Sequence, residues 1–458
     1  MTLSIALMLV LLIAAAVGGT SLFRARRLRA GGRMHSLPVY HAVHGALWVL
    51  GPALLVLAAW TAVQRPLVDS AVLATPQGQA IPEAQRAAVL DEARQIASGE
   101  IAGGFNPQSA PLAPQVGETE GRYAAIGSIA AILAALGSAG LLFFRKRDRE
   151  FRARTSVERW VNGLLLLASL IAIFTTLGIV LSLLFESLRF FQLVPLTDFL
   201  FGGTWSPQTA LRADQAGSSG AFGSIPLFWG TIFIGAIIAM LVAIPLGLMS
   251  AIYLTQYAAP RARRTIKPLL EILAGVPTVV YGYFAALTVA PVVRDFGLSI
   301  GIGSASSESA LAAGLVMGIM IIPFVSSMAD DSIAAVPSAM RDGSLALGAT
   351  RSETIRKVLL PAALPGVVGG VLLAVSRAIG ETMIVVMAAG LSANLTANPF
   401  ASVTTVTVQI VQLLTGDQEF DSAKTLAAFA LGLVLFLITL ALNLVALMVV
   451  RRYREAYE

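Results

Sequence analysis

Apolar residues dominate nine stretches of this chain, at about Leu3–Leu22, Tyr40–Val63, Tyr123–Phe144, Val161–Phe185, Phe228–Tyr253, Leu269–Val293, Leu311–Ala329, Pro361–Leu391 and Leu426–Val450. Each is close to or longer than the roughly 20 residues that carry an α-helix across a bilayer. Basic residues collect between them, at Arg24–Arg33, Arg145–Arg154, Arg261–Lys267, Arg341–Lys357 and Arg451–Arg454. The alternate loops, about 64–122, 186–222, 294–308 and 392–425, hold only scattered Lys and Arg. Positive loops stay in the cytoplasm, so nine spans run from an outside N-terminus to a cytoplasmic C-terminus with every cluster on the correct side. The pattern predicts an all-α membrane protein, a polytopic helical bundle. Three helices with the cluster after them (1–154) form a module ahead of a six-helix unit (155–458).

The N-terminus does not read as a cleavable signal, which places its positive residues before its apolar core. Here Leu3–Val17 comes first and Arg24, Arg26, Arg27, Arg29 and Arg33 follow. A retained helix is expected. In the long outer loop 64–122, Glu83–Ala97 reads as a short amphipathic helix between Pro82 and Gly99. The stretch Gly103–Gly121, rich in Gly, Pro and Gln, reads as flexible.

Composition narrows the function. Only 13% of residues are charged, about half the share in soluble domains. The net charge of +6 sits in clusters between apolar runs, which marks topology and not a nucleic-acid surface. The absence of cysteine excludes disulfides, thiolate metal sites and thiol nucleophiles. A phosphate-binding loop for ATP needs a lysine directly after glycine. Lys146, Lys267, Lys357 and Lys424 all lack that neighbour, so a nucleotide site belongs on another chain. His35, His41 and His44 flank the second span with no carboxylate nearby in sequence, so no metal is expected there. Asp330-Asp331 reads as a solvated helix end. Pro245, Pro277, Pro291 and Pro323 read as kinks, whether for packing or for a pathway.

Two segments carry chemistry. In the cytoplasmic loop 330–360, polar and apolar residues alternate at helical spacing through Asp342, Gly343, Ser344, Leu345, Ala346, Leu347, Gly348 and Ala349. Leu345, Ala346 and Ala349 can share a face, and Gly348 permits a break. Such a helix suits either a groove on a partner or the lipid surface. Asp342-Gly343-Ser344, three residues, Gly348, nine residues and Val358-Leu359-Leu360-Pro361 keep a recognisable spacing. It resembles the Glu-Ala-Ala coupling motif of ABC-importer permeases, with Asp-Gly-Ser in place of Glu-Ala-Ala. The resemblance implies a helix that docks on an ATPase subunit.

The second segment, Ser376-Arg377-Ala378-Ile379-Gly380-Glu381-Thr382, lies inside the span Pro361–Leu391. Arg377 is about 24 Å along the helix axis from Pro361 at 1.5 Å per residue. A charge at such depth costs about 2.5–3.5 kcal/mol on insertion scales. Arg377 and Glu381 are four apart and would share one helical face, either as a pair that holds helices together or as the lining of a substrate path. Arginine's rigid fork fits a tetrahedral oxyanion. A carboxylate can accept the hydrogen bond of a protonated phosphate and reject a bare dianion such as sulfate.

This segment is similar to the Ser-Arg-Ala-x-Gly-Glu-Thr signature of phosphate-specific (Pst) permeases. Phe201-Gly202-Gly203-Thr204-Trp205-Ser206-Pro207 resembles a segment of the PstC-type subunit, over its PstA-type partner. A further likeness runs from Gly230-Thr231 through Pro245-Leu246-Gly247 to Gly275–Gly282. The resemblance covers about 155–458. It implies phosphate import across a bacterial inner membrane with a PstA-type permease, a PstB-type ATPase dimer carrying ATP and magnesium, and a PstS-type binding protein. No cofactor or catalytic residue is expected on this chain. The alternatives are a permease for another oxyanion, such as sulfate, molybdate or phosphonate, or a membrane-embedded enzyme.

Overall fold

The computed structural model describes residues 3–144, 150–209, 219–415 and 422–454. Half of the cluster Arg145–Arg154, residues 145–149, lies outside the described residues. Among those described, nine helices are long and apolar enough to cross a membrane. Their contacts group the chain into two units, Met1–Phe174 and Thr175–Glu458.

In the first unit, α1 (Leu3–Ala30), α2 (Pro38–Leu73) and a long helix from Ser109 to Phe144 pack together through small residues. Ala6, Val10, Ala14 and Gly18 recur every fourth position on α1 and are buried. A Cβ on Gly18 would stand 3.3 Å from the Ala42 carbonyl oxygen. Membrane helices lack a hydrophobic drive toward one another, so such close backbone approach supplies the dispersion contact that holds them.

Between the second and third spans, α3 (Arg86–Ser98) forms where an amphipathic helix was expected. Gly99 ends it at φ +80°, a conformation that glycine adopts without strain. The flexible stretch expected at Gly103–Gly121 is corrected: α4 (Ser109–Phe144) already starts there. Glu92 organises the turn, accepting from the backbone N–H groups of Phe105 and Asn106 and from the Asn106 side chain at 2.7 Å. Burial pushes the Glu92 carboxyl up, but these hydrogen bonds outweigh it and hold the group below the usual carboxylate range. Arg94 draws in Asp69 at 2.6 Å, Asp91 at 2.9 Å and Glu120 at 2.6 Å. Leu112 and Val116 then bury against Val68, Val72 and Val89. The glycines and prolines suggested disorder, but the contacts that order the segment come from elsewhere in the loop.

The chain leaves the first unit along α5 (Ala153–Leu193). In the second unit a hairpin of β1 (Trp205–Thr209) and β2 (Ser219–Phe222) pairs Trp205 with Phe222 and Ser206 with Ala221. α6 (Ile225–Tyr257) follows, then the exposed α7 (Pro260–Ala274) and α8 (Thr278–Ser299). α9 (Ala310–Ala334) is the centre of this unit. Glycines let α6 and α9 interlock in both directions. A Cβ at Gly318 of α9 would lie 2.7 Å from Val242, and one at Gly247 of α6 would lie 2.8 Å from Val325. α10 (Ser338–Ala346), α11 (Arg351–Ile379), α12 (Met383–Ala388), α13 (Val406–Leu414) and α14 (Ala423–Arg454) complete the unit.

Two expected spans are corrected. Leu269–Val293 is interrupted at Gly275-Val276-Pro277, because proline cannot donate to the preceding turn. Pro361–Leu391 is interrupted at Gly380-Glu381-Thr382, between α11 and α12. Wide, π-type turns at Ile232–Ile238, Tyr253–Tyr257, Ala285–Val289 and Ile355–Leu359 also had no sequence signal. Such bulges are frequent at functional sites.

Candidate functional site

The loop 330–360 folds as three pieces. α10 carries Asp342, Gly343, Ser344, Leu345 and Ala346, and none of its residues is buried. Leu347 closes the helix and is 91% exposed. Gly348 follows at φ +87°, in the left-handed region, and turns the chain. Ala349 lies beyond that turn, so it does not continue the helical face of Leu345 and Ala346. Thr350 then starts α11 with a reciprocal cap: its hydroxyl accepts from Glu353 N–H at 3.3 Å, and the Glu353 carboxylate accepts from Thr350 N–H at 2.9 Å. A hydrogen bond of 3.0 Å between Ser344 and Thr354 braces the turn. The result is a bare helix held at a fixed angle.

The solvated helix end expected at Asp330-Asp331 is corrected for Asp330, whose side chain is 3% exposed. It accepts from Arg263 at 2.9 and 3.1 Å and from Lys267 Nζ at 2.6 Å. These hydrogen bonds pin α7 to the end of α9, one short turn before α10 begins. The Asp330 hydrogen bond holds the Lys267 ammonium above its ordinary range. Sequence reading missed this site because the partners lie 63 and 67 residues away.

Arg377 sits on the last turn of α11, where a cation meets the negative end of the helix dipole. Its neighbours Ala374 and Ala378 are buried in the same core as Ile384 and Val385 of α12, whereas Arg377 itself is exposed. The helix ends at Ile379, so the shared helical face expected for Arg377 and Glu381 is not formed. Among the described residues Arg377 has no ion pair. Glu381 stands in the break, where Oε1 accepts from Met383 N–H at 3.1 Å. Its other oxygen accepts no hydrogen bond among the described residues.

A polar network reaches this break from the β1–β2 hairpin. Trp205 Nε1 donates to Gln409 Oε1 at 2.8 Å, and the Gln409 amide donates to Gln412 at 2.6 Å and Thr404 at 3.2 Å. The Thr407 hydroxyl donates to the Glu381 carbonyl at 2.9 Å. Polar residues alternating with valine through Thr405-Val406-Thr407-Val408-Gln409 were the available signal, and sequence reading passed over it.

A family model described as a phosphate ATP-binding cassette transporter matches residues 5–175. Another, described as a binding-protein-dependent transport system inner membrane component, matches 243–455. A probable phosphate transport system permease protein PstC of Methanocaldococcus jannaschii is 31% identical over 53% of this chain and 80% of its own length. The phosphate transport system permease protein PstC 1 of Mycobacterium bovis is 32% identical over 56% of this chain and 81% of its own. This chain belongs to the PstC-type permeases of phosphate ABC transporters. A probable ABC transporter permease protein of Bacillus subtilis, YqgH, is 32% identical over 50% of this permease and 72% of its own length. Membership makes the chain a multi-pass transport subunit that works with an ATPase and a substrate-binding partner, with ATP hydrolysis on a separate subunit.

Proposed function

We propose that inorganic phosphate crosses the membrane past Arg377 and Glu381. The observation that carries this reading is a guanidinium on a membrane helix, beside a break in that helix, with no carboxylate bound to it among the described residues. An intramembrane charge without a partner faces water, a substrate or another chain. Its planar fork offers two parallel donors to a phosphate. The free oxygen of Glu381 can accept the phosphate's own O–H, and the carboxylate neutralises the path when it is empty. The break matters because unwound backbone is tolerated at membrane depth only where it lines a cavity or is buried in protein.

In this reading residues 155–458 are the permease domain and 1–154 an N-terminal extension. The segment Asp342–Ala349 docks on a PstB-type ATPase dimer that binds ATP and magnesium. The second half of the path comes from a PstA-type permease, and a PstS-type protein delivers phosphate. The complex sits in the bacterial inner membrane with this chain's N-terminus outside and its C-terminus in the cytoplasm.

The test is labelled phosphate uptake, normalised to assembled complex, by Arg377→Gln with Glu381→Gln. If the two residues only pack helices, removing both charges is close to neutral and uptake survives. If they line the path, the complex assembles and uptake falls to background. Arg377→Lys should keep partial uptake at most, since it retains charge and loses the fork. Competition by sulfate, molybdate and phosphonate in the same assay assigns the anion. Full uptake by the assembled double mutant ends this reading.

A further inference from the structure

The first unit holds a cavity of about 460 Å³ where the end of α1, the start of α2 and the end of α4 meet. That volume lies within the roughly 300–1,000 Å³ of small-molecule sites. One side is polar, with Arg24, Arg27 and Thr20; the other is apolar, with Leu142 and Phe143. The Arg24 guanidinium lies 4.6 Å from the centre of the Phe143 ring, and that of Arg27 lies 4.4 Å from the Phe23 ring. Among the described residues neither arginine has an ion pair. Stacking on a ring occupies the face of a guanidinium and leaves its N–H edge to donate. Two oriented forks without an ion pair among the described residues thus stand at the rim of an apolar slot, at the charged end of a membrane helix.

We propose that this cavity binds a phosphate group carried on a lipid, such as the headgroup of phosphatidylglycerol. Arg24 and Arg27 would hold the phosphodiester, and the acyl chain would lie along Leu142 and Phe143 toward the membrane. A free phosphate satisfies the same two forks but makes no use of the apolar wall. The arrangement matches basic pockets between membrane helices that take anionic headgroups on the cytoplasmic side. It gives the first unit a role of its own, independent of the substrate path.

The test compares three purified full-length proteins in micelles containing phosphatidylglycerol and phosphatidylcholine. They are the wild type, Arg24→Gln with Arg27→Gln, and a control of equal charge, Arg33→Gln with Arg152→Gln, whose residues lie outside the cavity. Phosphatidylglycerol retained per chain is counted by mass spectrometry. The cavity pair should lose about tenfold or more in retention, because two side chains that hold one headgroup contribute about 1 kcal/mol each; the control pair, which does not line the cavity, should lose less than about twofold. Equal losses in both pairs would reduce the effect to general surface charge and overturn the site, as would no loss in either. Should the Gln pair fail to assemble, Arg24→Lys with Arg27→Lys decides, with intermediate retention expected and wild-type retention counting against the forks. A final arm holds wild type in phosphatidylcholine alone and adds inorganic phosphate, with chloride matched for ionic strength. No rise in thermal stability is expected; a rise absent from the cavity pair would assign the site to free phosphate and overturn the lipid.

Discussion

α9 and α10 are consecutive in the chain, separated by Ala335-Val336-Pro337, yet they differ in almost every physical respect. α9 buries fifteen residues and interlocks with α6 through paired glycines, while α10 buries none. A buried helix is defined by its own chain. A bare helix with fixed ends is defined by something it has not yet met. The chain changes from one kind to the other just past Asp330, whose bonds to Arg263 and Lys267 fix the last turns of α9. Rigid support directly behind an unsupported helix is the arrangement expected of a part that transmits force and does not merely contribute to stability.

Four substitutions sharpen that contrast, in order of their expected effect on folded protein. Gly318→Leu in α9 should be the most damaging. Its Cβ alone would meet Val242 at 2.7 Å and the Ala239 carbonyl at 2.9 Å, and overpacking a tight core costs about 1–3 kcal/mol or more. Folded protein recovered from membranes should fall several-fold; normal yield would show that α9 is not the fixed element. Asp330→Asn should cost about 1–2 kcal/mol, less than for a fully buried pair because both cations remain partly solvated. Its pH dependence has a definite sign. Lys267 titrates above its ordinary value when folded, so its stabilisation is complete below the unfolded value and lost as pH rises through the folded one. Thermal unfolding from neutral to strongly alkaline pH should show that loss in wild type and a flatter profile in Asp330→Asn.

Gly348→Asp should cost only about 1 kcal/mol, the penalty of a side chain at positive φ, because nothing stands within 4 Å of the added Cβ. Under the proposed coupling role, in which this turn aims α10 at the ATPase, uptake should nonetheless disappear. Normal uptake with normal co-purification of the ATPase would remove the coupling role. Leu347→Ser should change stability by less than about 0.5 kcal/mol and weaken ATPase co-purification. If it instead destabilises the isolated chain, α10 is supported by contacts of its own and the contrast with α9 fails.

Hydropathy located the nine spans because each is long and predominantly apolar, even where Glu271 and Glu381 fall within the expected bounds. It missed the break at Gly380-Glu381-Thr382 because Met383-Ile384-Val385-Val386-Met387 restores the apolar run at once. A window average cannot distinguish a continuous helix from two short ones. Gly348 and Gly99 were legible because a positive φ selects glycine locally. Asp330 was not, because its burial depends on cations brought from another helix. The residues Arg377 and Glu381 were legible as a departure from apolar surroundings. Their relation to each other was not, since it depends on where the helix stops. The network from Trp205 to Gln409 spans 204 residues, and nothing local announces it.

The exposed guanidinium of Arg377 has a consequence for biogenesis. A newly made copy inserts this side chain on the last turn of α11, at a cost of at most the roughly 2.5–3.5 kcal/mol that a charge pays at a helix centre, until another chain shields it. The last turn of α11 is therefore the part of the span least committed to the bilayer while the subunit is alone. Synthesis beside a second permease chain would relieve that cost, and an unmatched copy would present quality-control proteases with a marginally inserted segment. The residue proposed to meet the substrate would thereby also limit how long the subunit survives unassembled.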